Sequence, residues 1–187
     1  MKLKTPLFSA LLAGGLSLVA ASFTLAANSI YLKIPGVVGP VQVAGYQGDI
    51  QLNAYSQAFS NTFATSSGGS TGGKAVCGAI TIQKSIDATS HYFLQDVTKG
   101  SHIASAEIYF LGASTGTAPY TIKLTGVFVT SISQGDNWTT TASNLGVQEI
   151  ITLQAEKFQF SYTPQNPDGS FGSPVIYGWD CFTNTAF

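Results

Sequence analysis

The residues of this chain that are best suited to metal or acid–base chemistry are two histidines and their neighbouring carboxylates. His91 and His102 lie close in sequence to Asp87, Asp96 and Glu107. Imidazole and carboxylate groups of this kind bind zinc and transfer protons. Their spacing matches no established metal-binding pattern, however, and polar side chains near a helix end explain the same residues. We favour that second interpretation.

Other catalytic patterns are also missing. No Gly-x-Ser-x-Gly nucleophile turn occurs, and the glycine-rich segment 68–73 lacks the ordered Gly-Lys-Ser/Thr ending of a phosphate-binding loop, so a flexible loop is the preferred interpretation. The Asp and Glu residues are scattered singly and do not suggest a glycosidase pair. Asn137 opens a glycosylation sequon, which is a short pattern often met by chance. The sequence therefore predicts a protein that is not an enzyme and has no cofactor or metal.

The two cysteines, Cys77 and Cys181, are more informative. In an exported chain, two cysteines most often pair, because the compartment is oxidising. We therefore predict a disulfide between them. The alternative is two buried thiols that do not touch.

The N-terminal segment 1–27 predicts export. Lys2 and Lys4 precede an apolar, uncharged run that ends in small residues, which suits signal peptidase cleavage after Ala26 or Ala27. A membrane anchor is the alternative, since the run approaches the ~20 residues that a span needs. We predict a cleaved Sec signal peptide, then a single domain over 28–187 in the periplasm or outside the cell, without stable membrane insertion.

The charges exclude one class of partner. Cleavage would remove two of the eight cations and none of the nine acids, so the mature net charge is −3. Every cation is Lys, and without Arg or a basic surface there is no electrostatic footprint for nucleic acid. Only 9% of residues are charged, against a usual ~25%. Such a chain stays soluble through neutral polar groups, or it hides part of its surface in an assembly.

Alternation of apolar and polar residues predicts about eight short strands, separated by Gly, Pro and Asn turns. Their number and spacing are typical of a mainly β barrel or sandwich. One strand changes face near Gly126, and a β-bulge would explain the change. The apolar residues that make up this alternation are Ile30, Leu32, Ile34, Ile50, Leu52, Ala54, Ile80, Ile82, Ile86, Ala106, Ile108, Phe110, Tyr120, Ile122, Leu124, Val127, Val129, Val147, Ile151, Leu153, Ala155, Phe158, Phe160, Tyr162, Val175, Tyr177 and Trp179.

Three segments depart from this alternation. Residues 90–99 predict one short α-helix, with Phe93, Leu94 and Val97 on one face and Gly100 just beyond its end. It is expected to pack across a barrel mouth or a sheet. Residues 59–74 are rich in Ser, Thr and Gly and predict a long flexible loop, and 135–144 predict a shorter one.

Motifs in order along 30–185 resemble those of the Hcp (haemolysin-coregulated protein) family, the tube component of type VI secretion. Residues 30–34 are similar to the family's opening strand. Residues 82–87, the predicted helix and 99–103 resemble its Lys-containing signature. The most specific matches are the Pro-Gln…Asp-Gly turn at 162–170 and the Tyr-Gly-Trp strand at 174–180. Asn166 stands where the family usually has Lys.

The resemblance implies an Hcp-like β-barrel of two packed antiparallel sheets with one short helix. It also implies a non-enzymatic subunit that associates with itself in rings, hexameric by resemblance, which stack into tubes or fibres and enclose a channel for an effector or passenger protein. The 59–74 segment would correspond to the family's assembly loop, with Phe59, Asn61, Phe63 and Lys74 as its candidate contact residues. Family members normally lack a signal peptide, whereas one is predicted for this chain. We therefore expect assembly outside the cytoplasm rather than in a contractile injector.

The alternative function is an exported, monomeric β-barrel that binds a peptide or a carbohydrate. An exposed aromatic platform formed from Tyr46, Tyr55 and Trp138 would favour that function. A large apolar rim would favour assembly.

Overall fold

The structure is a computed structural model that describes residues 29–66, 69–112, 118–135 and 147–187. The predicted signal peptide, the sequon at Asn137 and nearly all of the 135–144 stretch lie outside the described residues. The elements, in chain order, are β1 Ser29–Lys33, β2 Ile50–Leu52, β3 Ala54–Ser56, β4 Phe59–Ser66, β5 Gly69–Cys77, β6 Ile80–Ser85, α1 Ser90–Lys99, β7 His102–Leu111, β8 Tyr120–Gly135, β9 Gln148–Tyr162, β10 Val175–Asp180 and β11 Thr185–Ala186.

Nine of these strands form one antiparallel sheet that closes into a barrel. β1 pairs with β7, β7 with β8, β8 with β9, and β9 with β6. The circle is completed by the short strands β2 and β3, since β2 pairs with β1 and β3 pairs with β6. The two packed layers expected from the sequence are therefore halves of one hydrogen-bonded sheet, and the mainly β fold is confirmed.

Asn53 makes the corner between β2 and β3. Its backbone N–H donates to the carbonyl of Gln83 at 2.7 Å, and its side-chain amide donates to Gln148 Oε1 at 2.6 Å. These bonds fix the point where the chain stops pairing with β1 and begins to pair with β6. A corner of this kind lets a strand serve both halves of a barrel.

The predicted change of face in β8 is confirmed at Gly126. Leu124 is buried before it and Val127 and Val129 after it, so the inward positions move from even to odd numbers. Gly126 has a φ of 60°, a conformation that residues with a Cβ rarely adopt. The register shift of the β8–β9 pairing lies farther along, between Val129 and Ser131.

The predicted helix is confirmed over Ser90–Lys99. Gly100 ends it in the left-handed conformation, with a φ of 65°, and its N–H donates to the carbonyl of Asp96. The buried face is centred on Phe93, with Val97 packed against the core. Leu94 is 46% exposed, so its assignment to that face was wrong. Among the described residues no helix is long and apolar enough to cross a membrane.

The predicted loop at 59–74 is corrected by the structure. β4 and β5 form a separate two-stranded antiparallel hairpin, paired from Phe59 with Cys77 to Ser66 with Gly69. The polar composition gave no alternation from which to predict strands. The hairpin is ordered by backbone hydrogen bonds between its own arms, which depend little on side-chain type.

Candidate functional site: the hairpin base and the exposed sheet edges

The predicted disulfide is confirmed. Cys77 is the last residue of β5, Cys181 directly follows β10, and the two are bonded with their Cα atoms 6.1 Å apart. The alternative of two separate thiols is therefore wrong. The bond joins the base of the hairpin to the end of the last long strand of the barrel, across a sequence separation of 104 residues.

A second link between the same two parts comes from Asn184. Its side-chain Nδ2 donates to the carbonyl of Ala75 at 2.7 Å, and its Oδ1 accepts from the N–H of Ala75 at 3.2 Å. The amide thus pairs with the hairpin as a strand backbone would. Asn184 has a φ of 59°, a conformation that Asn tolerates better than most residues. We call residues 181–184 the latch turn.

Asp180 organises the start of the latch turn. Its Oδ1 accepts from the N–H groups of Phe182 and Thr183, both at 2.9 Å, and its Oδ2 lies 2.8 Å from Lys157 Nζ. The hydrogen bond from Lys157 and those from the backbone lower the pKa of the Asp180 carboxyl to about 2. The carboxylate is therefore ionised, and holds the turn, throughout the neutral and mildly acidic range.

The hairpin base also packs through one aromatic side chain. The ring of Phe59 lies edge-on to Phe158 and Phe160, with centroid distances of 5.1 and 5.7 Å. Beside it runs a groove of about 290 Å³ between the hairpin and the β9–β10 surface. It is lined by Phe59, Asn61, Ala75, Phe160, Tyr177 and Trp179. Phe59 therefore shields the core and keeps 42% of its surface exposed.

The four candidate assembly residues all lie on this hairpin. Phe59 and Asn61 are at its base and line the groove, and Lys74 is exposed on the opposite arm. Phe63 lies farther out, where its backbone pairs with Gly72. The structure thus brings Phe59 and Asn61 together, and a role in assembly stays a prediction for all four.

Sequence reasoning missed a buried ion pair near the start of α1. Lys84 and Glu149 are fully buried, and Lys84 Nζ lies 2.7 Å from Glu149 Oε1 and 3.0 Å from Asp87 Oδ1. Ser90 Oγ donates to the same Glu149 oxygen at 2.8 Å, and Gln134 Nε2 donates to the other at 3.1 Å. The network ties β6 and β9 to the first turn of the helix.

The strand alternation contained a signal for this pair. Lys84 follows Ile80 and Ile82 on the same face of β6, and Glu149 precedes Ile151 on the same face of β9. A search of the sequence for inward-facing positions that considers only apolar residues passes over both of these charged residues. Asp87 nearby is half-buried: burial raises its pKa, but hydrogen bonds from Thr89 and Lys84 outweigh that and hold the pKa below its usual value. The contacts pair each charge, which is typical of a structural network.

The structure does not bring together the two described residues of the candidate aromatic platform, Tyr46 and Tyr55. Tyr46 packs between Tyr31 and Tyr109, with centroid distances of 5.4 and 5.3 Å, on the outer side of β1 and β7. Tyr55 packs against the main core, edge-on to Phe110. Burial raises the pKa of both phenols. Trp138 lies outside the described residues.

The histidines have ordinary surroundings. Both are exposed, and the ring of His102 lies 5.5 Å from that of Phe128. Asp87 is bonded to Lys84 and Thr89, and Glu107 accepts from the hydroxyl of Tyr109. Within the described ranges, no three His, Cys, Asp or Glu residues gather as metal ligands would.

Two of the surfaces that expose apolar side chains lie at opposite ends of β9. The first, the edge patch, is Val175, Ile176 and Tyr177 on β10, which are 67%, 58% and 53% exposed. β10 pairs with β9 on one side, and β11 covers only its last two residues on the other. Among the described strands, none pairs with the outer side of Val175–Tyr177. Such an edge is a template for another chain.

The second surface, the end patch, is Ile86, Val147 and Ile150, which are 43%, 44% and 46% exposed. It lies where β9 begins, and the N–H of Ile86 donates to the carbonyl of Val147 at 2.9 Å. The edge patch lies beside the far end of β9, where Ile176 pairs with Ser161. At about 3.3 Å per residue, the two patches are roughly 35 Å apart along β9.

One comparison with known proteins identifies a family, and a second identifies solved structures with the same fold. A family model described as "Type VI secretion system effector, Hcp" matches residues 31–165. A solved type six secretion system protein is 24% identical, with a TM-score of 0.78 over 86% of this chain and 100% of its own. Hcp1 from Salmonella typhimurium is 18% identical, with a TM-score of 0.71 over 86% and 99%. A type VI secretion system effector from Yersinia pestis is 21% identical, with a TM-score of 0.62 over 81% and 98%. At these identities the structural matches establish the fold. A comparison with curated protein sequences found no match.

Proposed function

The chain belongs to the Hcp family of type VI secretion, as its motifs predicted, and we propose that it is a non-enzymatic structural subunit that assembles with itself into rings. By resemblance the rings contain six subunits and stack into tubes or fibres. The proposal includes Sec-dependent export, cleavage before Ala27 or Asn28, and assembly in the periplasm or outside the cell. An effector or passenger protein in the channel is part of the family resemblance.

The observation that carries the proposal is the edge patch. Three consecutive exposed apolar residues lie on a strand whose outer side has no partner among the described strands. Monomeric proteins normally protect such edges with charges, prolines or covering segments. Here a second copy of the chain is the proposed cover.

The separation of the two patches supports a ring. The edge patch and the end patch differ in sequence and lie at opposite ends of β9, so a contact between them joins unlike surfaces. Such head-to-tail contacts close into rings when the rotation between subunits permits. Neither patch contains a charged residue, so we expect the rings to persist in ~1 M salt, where exposed ion pairs are screened.

The test substitutes the same residue type at two exposed sites of the mature protein. Val175→Lys places a charge in the edge patch, and Val38→Lys places one in the loop between β1 and β2, where the side chain is 77% exposed. The proposal expects Val175→Lys to give monomers in sedimentation velocity and Val38→Lys to give rings. Intact mass of the exported protein reports the cleavage site. Wild-type protein that is monomeric at high concentration in both low and high salt would contradict the proposal.

The second candidate is an exported monomeric β-barrel that binds a peptide or a carbohydrate. The groove beside the hairpin favours it, because four of its six lining residues are aromatic. Trp179 lines the groove, so its fluorescence would report an occupant. This candidate requires a monomer, whereas assembly requires a ring, so the sedimentation experiment separates the two.

A further inference from the structure

The hairpin β4–β5 is joined to the barrel at its base. It forms its own two-stranded sheet, and no strand of the barrel sheet pairs with either of its arms in the described part of the chain. Its direction relative to the barrel therefore depends on contacts near Phe59 and Cys77. These are the Phe59 ring packing, the Cys77–Cys181 disulfide, the pairing of Asn184 with Ala75 and a long hydrogen bond, 3.4 Å, from Gln154 Nε2 to the carbonyl of Cys77.

These contacts differ in how strongly they fix the direction of the hairpin relative to the barrel. The Phe59 ring is 42% exposed, and its contacts with Phe158 and Phe160 are neither covalent nor hydrogen-bonded. The Asn184 bonds join neutral groups, and water competes for both partners. The disulfide is covalent and fixes the end of β5 to the latch turn. It also anchors Asn184, three residues farther along the same turn, opposite Ala75.

We propose that the Cys77–Cys181 disulfide is a redox latch: it fixes the hairpin in the direction needed for one ring to stack on the next, so that stacking occurs only in an oxidising compartment. This inference rests on the proposed function. Ring closure does not depend on the latch, because backbone pairing with β9 holds all of Val175–Asp180 in place whether or not Cys181 is bonded, and the end patch lies at the far end of β9. A chain in a reducing compartment would form rings without stacking them.

Closing the latch is a two-electron oxidation. The two thiols each lose a proton and together lose two electrons, and the sulfur–sulfur bond forms. A disulfide such as oxidised glutathione accepts the electrons and protons and leaves as two thiols, through a mixed disulfide with one of the cysteines. Disulfides of this kind persist outside the cytoplasm and are rare within it.

The experiment follows one sample of mature protein, residues 28–187, through oxidation, reduction by a phosphine and reoxidation. Hydrogen exchange is measured at the N–H of Ala75, which bonds to Asn184, and of Gly78, which bonds to Ala58. Electron microscopy counts single and stacked rings. Reduction should speed exchange at these two amides by at least about tenfold, leave exchange in β8 and β9 unchanged, and convert stacks to single rings. Reoxidation should restore the stacks.

Three variants separate the latch from general stability. The double variant Cys77→Ser/Cys181→Ser should behave as the reduced protein under all conditions. Asn184→Gly keeps the disulfide and tolerates the left-handed backbone, so its rings should stack. Ile108→Val destabilises the core from β7, a strand that does not pair with the hairpin, and its oxidised rings should also stack.

The outcomes distinguish the two levels of the proposal. Rings that stack equally when oxidised, reduced or lacking both cysteines would overturn the latch alone. So would unchanged exchange at Ala75 and Gly78 on reduction, or a failure of oxidised rings to stack. Monomers under every condition would overturn the proposed function as well.

Discussion

Lys84 and Glu149 form the most deeply buried charged pair described in this protein, and the effect of breaking it follows from their contacts. Replacing Glu149 with Gln removes the negative charge that lies 2.7 Å from Lys84 Nζ. The Lys84 ammonium stays fully buried, so water cannot replace the lost carboxylate. Removing one partner of a buried pair generally costs ~3–5 kcal/mol of unfolding free energy. Lys84 retains Asp87 at 3.0 Å and the carbonyl of Ser85 at 2.9 Å, so we expect the lower end, about 3 kcal/mol.

Urea unfolding, followed by tryptophan fluorescence, measures this loss as a lower midpoint with an unchanged slope. Glu156→Gln is the matched control, because Glu156 is on the same strand but exposed, and it should change stability by less than about 0.5 kcal/mol. Adding Lys84→Met to Glu149→Gln should recover part of the loss, since Met fills a similar space and needs no counter-charge. A loss below about 1 kcal/mol, or one equal to that of Glu156→Gln, would refute the reasoning that burial makes each charge depend on the other.

Two further predictions concern backbone conformation and pH. Gly126→Ala should lower the free energy of unfolding by about 1–2 kcal/mol, because its φ of 60° is unfavourable for a residue with a Cβ. Gly135→Ala in the same strand, where a Cβ has open space, should be near neutral, and equal urea midpoints for the two variants would contradict this account. The pKa of Asp180 is lowered in the folded state, chiefly by the hydrogen bond from Lys157. The carboxylate therefore stabilises the fold at pH values above its ordinary pKa, and this contribution is lost as the pH falls towards about 2. Asp180→Asn keeps the hydrogen bonds to the latch turn without the charge and should flatten the dependence of the urea midpoint on pH between 5 and 2; an unchanged pH dependence would remove Asp180 as its source.

The sequence by itself determined the features that depend on local spacing. Alternating apolar residues identified most strands of the barrel, including the change of face at Gly126. The cap at Gly100 and the position of Phe93 identified the helix over Ser90–Lys99. Two cysteines in a chain whose N-terminal segment predicts export were enough to predict the disulfide, and motifs such as the turn at 162–170 identified the family.

Only the tertiary structure decided which distant segments meet. The hairpin at Phe59–Ser66 and Gly69–Cys77 depends on backbone pairing between two polar segments, which leaves no apolar pattern in the sequence. Barrel closure at Asn53 and the pairing of Asn184 with Ala75 depend on groups far apart in the chain. Lys84 and Glu149 each occupy an inward position that looks unfavourable alone. Their burial becomes acceptable because the pairing of β6 with β9 places the two opposite charges 2.7 Å apart. The register of that pairing cannot be predicted from the local sequence of either strand.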